Sequence, residues 1–241
     1  MKSIAAFFDI DGTIFRNSLM IEHFKKLINF EVIDPEIWYT KIKKVYVEWE
    51  KRYGDFEQYL ETLAGVYLEE LKGVNKSYIE FIADHVINVN GDMVYKYSRN
   101  QIEWHKNQGH KVFFISGSPD FLVSKMAEKY GATEFRGTLY KVDENNKFTG
   151  EIERMWDSES KKRVLRELIQ KYDVDLEHSF AYGDTTGDLS MLRMVGNPIA
   201  INPNRLLFES IRADKELSER ATIIVERKDI IYKLKPDIEI L

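Results

Sequence analysis

This chain of 241 residues predicts an α/β architecture: a doubly wound parallel sheet with an all-helical cap inserted after the first strand and a β-hairpin further along. Three observations predict it. Short apolar runs ending at polar or Gly/Pro punctuation alternate with amphipathic segments of helix length, the rhythm of parallel strands joined by crossover helices. Residues 17–91 interrupt that rhythm with helical apolar spacing and no strand signal. Two strand-like arms around Asp143-Glu144-Asn145-Asn146 interrupt it again. The core is therefore expected from residues 1–16 and 92–241, and the cap from 17–91.

Each element has its own signal. Residues 3–8 (SIAAFF) are a continuous apolar run closed by Asp9, as in a buried parallel strand. In the insert, Phe24 with Leu27 and Ile28, and Tyr59, Leu60 and Leu63 with Val66 and Tyr67, recur at helical spacing. A helix over 92–108 is stopped by Gly109, and the run 111–115 (KVFFI) gives the second strand. Pro119 suits a first helical turn, opening a helix over 120–130 that stops at Gly131. The hairpin spans 135–152, followed by a helix over 160–172 and a strand over 179–182. A helix over 189–195, stopped by Gly196, and strands over 198–201 and 222–225 complete the pattern.

Composition narrows the function. Lys and Arg number 35 against 40 Asp and Glu, a formal net charge of −5 that attracts neither nucleic acid nor an anionic membrane. With no cysteine, disulfides and thiolate metal sites are excluded, so a metal must sit on oxygen or histidine, which favours hard cations such as magnesium. His23, His85, His105, His110 and His178 show no metal-ligand spacing and read as packing or surface residues. The N-terminal apolar run is too short for a signal-peptide core, and no later one approaches the ~20 residues of a membrane span. A cytoplasmic protein is expected, with oligomeric state left open.

In an open parallel sheet, ligands bind at the carboxyl ends of the strands. The first strand ends Asp9-Ile10-Asp11, which puts two carboxylates on one side of an extended segment. Such a pair can hold a divalent cation, and it can also divide labour, one acid attacking while its neighbour keeps a proton. Gly12 permits a tight turn, and Thr13 offers a hydroxyl and an amide to an anion. The second strand ends Ser116-Gly117-Ser118, where amides and the Ser116 hydroxyl can face a phosphate. Lys161, Lys162 and Arg163 open a helix beside the site. Asp184 and Asp188, four apart, read either as metal ligands or as helix-capping acids.

Taken together, DIDGT at 9–13, ISGSP at 115–119, the Lys161 region and AYGDTTGDLSML at 181–192 resemble the four ordered motifs of the haloacid dehalogenase superfamily. The helical insert, the hairpin and GNPIAINPN at 196–204 resemble its phosphoserine phosphatase-like subfamily. The resemblance implies a Rossmann-like core, a magnesium-dependent phosphatase and a small phosphorylated substrate. It further implies Asp9 as nucleophile and Asp11 as general acid/base. Magnesium would sit on Asp9, the Asp11 backbone carbonyl and Asp184, with Asp188 further out, and Thr13, Ser116, Gly117 and Lys161 would bind phosphate. Lys161, with Leu165 four residues on, is favoured over Lys162.

The family's dehalogenases lack the second acid, which this chain has in Asp11. A phosphotransferase or mutase would use the same aspartyl-phosphate, and a silent binding module is disfavoured because every chemical position is filled. The glutamate and arginine with which phosphoserine phosphatases grip their substrate align with Ser18 and Leu63, leaving Glu22, Arg16 or Arg52 as substitutes, so a different phosphomonoester is expected. The insert's twelve aromatics, including Trp38, Tyr39, Trp49, Tyr53 and Tyr59, barely exceed the chain's 13% and read as packing rather than a cation cage.

Overall fold

A computed structural model describes residues 2–240. Its strands are β1 (Ala5–Phe8), β2 (Lys111–Pro119), β3 (Glu134–Val142), β4 (Phe148–Glu153), β5 (Phe180–Gly183), β6 (Asn197–Ile201), β7 (Thr222–Arg227) and β8 (Ile230–Leu234). They form one sheet in the order β4-β3-β2-β1-β5-β6-β7-β8. The inner pairs from β3 to β7 are parallel, while β4 and β8 pair antiparallel at the two edges. The order reverses at β1, so the carboxyl end of β1 lies at the switch point where an open sheet leaves a crevice.

Every side chain of β1 is buried because helices cover both faces. Ala6 and Phe8 point into a core shared with Lys96–Asn107, Asp120–Tyr130 and the insert. Ala5 and Phe7 point into a second core under Ser158–Tyr172, Leu189–Met194, Arg205–Ala213 and Lys215–Arg220. A fully buried phenylalanine contributes about 1.5–3 kcal/mol, and Phe7, Phe8, Phe113 and Phe114 lie side by side on the two central strands.

Between β1 and Lys96 all regular structure but isolated bridges is helical: Leu19–Asn29, Pro35–Ile37 running through a π turn (Trp38–Ile42) into Lys43–Glu50, Phe56–Leu71, and Lys76–Asn90. Ser18, Asp55 and Asn75 cap three of these through their side chains. Chain exit and return lie side by side: Phe15 bridges Val94, the Arg16 amide donates to Met93, and the Tyr95 amide donates to Ile14. The insert is also fastened to the hairpin by backbone bonds from Gly73 to Phe148, Phe148 to Val74 and Lys76 to Asn146. Trp38, Tyr46, Trp49, Phe56 and Tyr59 pack ring against ring, which leaves them no open cage.

The structure corrects several boundaries. The helix expected from 92 starts at Lys96, because Val94 and Tyr95 are taken up by the crossing, and Glu226 of β7 accepts the amides of Lys96 and Tyr97 at its start. The helix expected from 160 starts at Ser158, capped by Asp157. Pro119 sits one residue before its helix, at the end of β2. β8 has no counterpart among the expected strands. No helix of the described residues is long and apolar enough to cross a membrane.

Candidate active site

β1 ends where the backbone must turn, and Gly12 makes the turn at φ +79°. A Cβ there would lie 2.0 Å from Asp184 Oδ2, so glycine is required both by the conformation and by the neighbouring acid. The turn brings the first and last motifs together: the Thr13 hydroxyl donates to Asp184 Oδ1 at 3.2 Å. That bond engages the hydroxyl expected to face an anion.

Asp9, Asp184 and Asp188 each present a carboxylate oxygen within 4.8 Å of the others. Lys161 reaches them from the helix that starts at Ser158, its Nζ 2.6 Å from Asp9 Oδ1 and 2.6 Å from Asp188 Oδ1. Its side chain is 4% exposed, whereas Lys162 stays 37% exposed beside Glu159, so only Lys161 enters the cluster. Asp188 Oδ2 accepts the amides of Asp184 and Thr185, which makes this acid both a helix cap and a member of the cluster. Of the two sequence readings of that residue, these bonds bear out the helix-capping one.

The electrostatics are unbalanced. Burial raises the pKa of Asp9; Lys161 pulls it back, while Asp188 and Asp11 push it further up. Asp184 is pushed well above the ordinary carboxylate range by burial and then by Asp9 and Asp188. Burial works against the charge of Lys161, yet Asp188 and Asp9 hold its pKa above the usual lysine value. Three carboxylates around one ammonium leave negative charge that a cation would neutralise.

Asp11 stands apart. Its Oδ1 accepts the Leu19 amide at 2.9 Å, and its Oδ2 accepts the Ser118 hydroxyl at 2.5 Å and the Ser18 hydroxyl at 3.4 Å. Burial raises its pKa while these donors, Ser118 first, oppose the rise. The carboxyl is thus aimed at the start of the helix Leu19–Asn29 rather than at the three-acid cluster.

Ser116 is buried at the end of β2 and accepts the Ser118 amide at 3.1 Å, so that amide is taken and the Ser116 hydroxyl proton is left to donate. Gly117 accepts the Thr138 hydroxyl on its carbonyl. A Cβ on Gly117 would meet Trp156 Cβ at 2.8 Å. Ser118 and Trp156 are contributors that the sequence reading did not single out. Ser118 stood inside the SGS run without a role, and Trp156 carries no motif of its own.

The positions aligned with a phosphoserine grip hold no charge. Leu63 is fully buried in the apolar core, and Ser18 caps a helix and serves Asp11. Glu22 is held by Asn17, Lys25 and Asn90. Arg16 lies 6.0 Å over the Tyr95 ring. Arg52 lies on the surface in a left-handed turn at φ +65°.

The family model of haloacid dehalogenase-like hydrolases matches residues 6–193. The chain is 28% identical over 205 residues to the inhibition of morphological differentiation protein of Streptomyces azureus, covering 84% of this chain and 73% of that protein. It is 24% identical over 236 residues to the histidinol-phosphatase of Neisseria meningitidis, covering 95% of this chain and 100% of that protein. Two Mycobacterium tuberculosis relatives are matched over only 39% of their length. The solved phospho-aspartyl intermediate analogue of phosphoserine phosphatase superposes with a TM-score of 0.60 at 24% identity, covering 95% of this chain and 96% of that one, a likeness of fold.

Proposed function

The chain belongs to the haloacid dehalogenase-like hydrolase family, and from that premise we propose that it is a magnesium-dependent phosphatase that hydrolyses a small phosphomonoester through an aspartyl-phosphate. The observation that carries this reading is the buried meeting of Asp9, Asp184, Asp188 and Lys161 at the carboxyl end of β1, with Asp11 held separately beside it.

The donor set suits magnesium: hard oxygen ligands, more than one carboxylate, and a charge deficit larger than one lysine covers. Asp9, Asp184 and the Asp11 backbone carbonyl would hold the ion, with Asp188 behind them. When bound, it neutralises charge on the phosphoryl oxygens.

The chain's own groups then divide the work. Lys161 holds Oδ1 of Asp9, which leaves the other oxygen for in-line attack on phosphorus. An Asp9 O–P bond forms as the ester P–O bond breaks, and Asp11 gives its proton to the departing alkoxide. Asp11, now ionised, takes a proton from water. The hydroxide adds to phosphorus, the Asp9 O–P bond breaks, and inorganic phosphate leaves. The raised pKa of Asp11 suits the first transfer, and the donors from Ser118 and Leu19 suit the second. Ser116, whose hydroxyl proton is free, and Lys161, whose ammonium lies beside Asp9, would donate to phosphate oxygens.

Leu63 and Ser18 support a substrate other than phosphoserine, because neither carries a charge to set against a carboxylate or an ammonium. The test is a panel of phosphoserine, histidinol phosphate, phosphocholine, sugar phosphates and nucleotides with magnesium and with chelator. Magnesium-dependent release of phosphate that Asp9→Asn abolishes is expected. Phosphate release from no ester, or a kcat/KM highest for phosphoserine, would overturn the activity or the substrate reading respectively.

A further inference from the structure

The two edges of the sheet are finished in different ways. The β4 edge is closed: Phe148 exchanges backbone hydrogen bonds with Gly73 and Val74, and the exposed side chains beyond it are Glu151 and Glu153, each facing Lys141. At the opposite edge, β8 pairs only with β7, and among the described residues no other segment donates to its backbone or accepts from it. Four of its five side chains are apolar and its faces are open: Ile230 is 52% exposed, Ile231 37% and Tyr232 47%, with Lys233, also exposed, its one charge. An open edge with such side chains is a template for strand pairing, and soluble proteins ordinarily guard it with charge or cover it.

We propose that β8 is the interface for a second copy of this chain, which adds its own β8 antiparallel across a two-fold axis so that the two sheets become one. Opposed residues in an antiparallel ladder must both turn their amides toward the partner or both away, so the axis passes through a residue rather than between two. Centring it on Tyr232 pairs all five strand residues. Tyr232 meets its own copy, Ile230 meets Leu234, and Ile231 meets the stem of Lys233. That register also sets Asp229, just before the strand, against Lys235, just after it, twice over. The charges at the ends are thus self-complementary, which a heterologous partner would have no reason to match. A five-residue strand buries little, so the dimer is weak, with a Kd of order 10 µM.

Sedimentation velocity on the full chain from about 1 to about 300 µM tests this. A reversible monomer–dimer equilibrium is expected. Tyr232→Asp, which opposes two carboxylates on the axis, should give monomer throughout while keeping its melting temperature and its phosphatase turnover, since β8 is remote from the acids. Asp229→Lys should weaken the dimer about tenfold, and Asp229→Lys with Lys235→Asp should restore it. A wild-type chain that stays monomeric, or a dimer indifferent to Tyr232→Asp, overturns the interface. Failure of the double reversal to restore what the single one lost overturns the register.

Discussion

Buried polar side chains gather at three places among the described residues, and they are built on two opposite logics. At the carboxyl end of β1, three carboxylates crowd one lysine. Elsewhere, His23 is fully buried between Tyr67, 2.6 Å from its Nδ1, and the Ile79 carbonyl, 3.3 Å from its Nε2. With the proton on Nε2, the ring donates to the carbonyl and accepts from the tyrosine, so neutral histidine satisfies both nitrogens. His105 does likewise: its Nε2 donates to Tyr182, which donates on to Gln101, while Nδ1 accepts from His110. Burial pushes both His23 and His105 down to about 3. One kind of cluster is complete in itself and the other is left with excess charge. Buried polarity marks a working site where it is left unbalanced, and marks architecture where it is not.

The hardest test of that contrast is Asp9→Asn. It should lower kcat by about 10⁴-fold or more, because the attacking group is lost. It should also raise the melting temperature of the magnesium-free protein at pH 8, since one of the crowded charges disappears. A lower melting temperature would show that the cluster is balanced after all. Lys161→Met should act in the reverse direction, costing about 3–5 kcal/mol in denaturant unfolding by leaving Asp9 and Asp188 without their ammonium.

The two kinds of cluster also answer pH with opposite signs. His23 binds fewer protons folded than unfolded between about 3 and 6.5, so its stability contribution is lost as pH falls through that window, about 2 kcal/mol by pH 5. Asp9 and Asp184 have raised folded pKa values, so without metal their ionisation costs stability as pH rises above the usual carboxylate range. Magnesium should therefore raise the melting temperature more at pH 8 than at pH 5. In saturating magnesium the histidine loss on acidification should stand alone. An equal magnesium effect at both pH values would break the comparison. The smallest effect is expected from Ser118→Ala, which removes one hydrogen bond from Asp11 worth about 1 kcal/mol. A roughly fivefold lower kcat, with the Asp11 limb of the pH–rate profile moved upward, would place Ser118 as a positioning residue.

How legible this was in the sequence varied with the reach of the signal. Local punctuation carried the inner strands: the run at 3–8 ending on Asp9 and the run at 179–182 ending on Gly183 lie where expected, side by side. The acids are legible because strand ends converge in an open sheet. Lys161 separates from Lys162 in space because one faces the site and the other the solvent. Ser118 could not be assigned a role from sequence, since its partner Asp11 is 107 residues away and nothing local announces it. The helix start at Lys96 was misplaced for the same reason: its capping carboxylate belongs to Glu226, some 130 residues on. β8 was overlooked because IIYKL lacks the alternation of a half-buried strand, both its faces being open.

The crossing where Phe15 bridges Val94 has a consequence for how such a molecule can be rebuilt. Everything between the two residues leaves and re-enters the core through one narrow doorway, so its ends lie side by side in the folded chain. A segment of another length or another shape, grafted onto the same doorway, would keep Asp9 and the acids beside it but would have to supply its own donors to Asp11 in place of Ser18 and Leu19. The bonds to the hairpin tip, at Gly73, Val74 and Lys76, and the apolar packing against Asp120–Tyr130 would have to be reinvented with it.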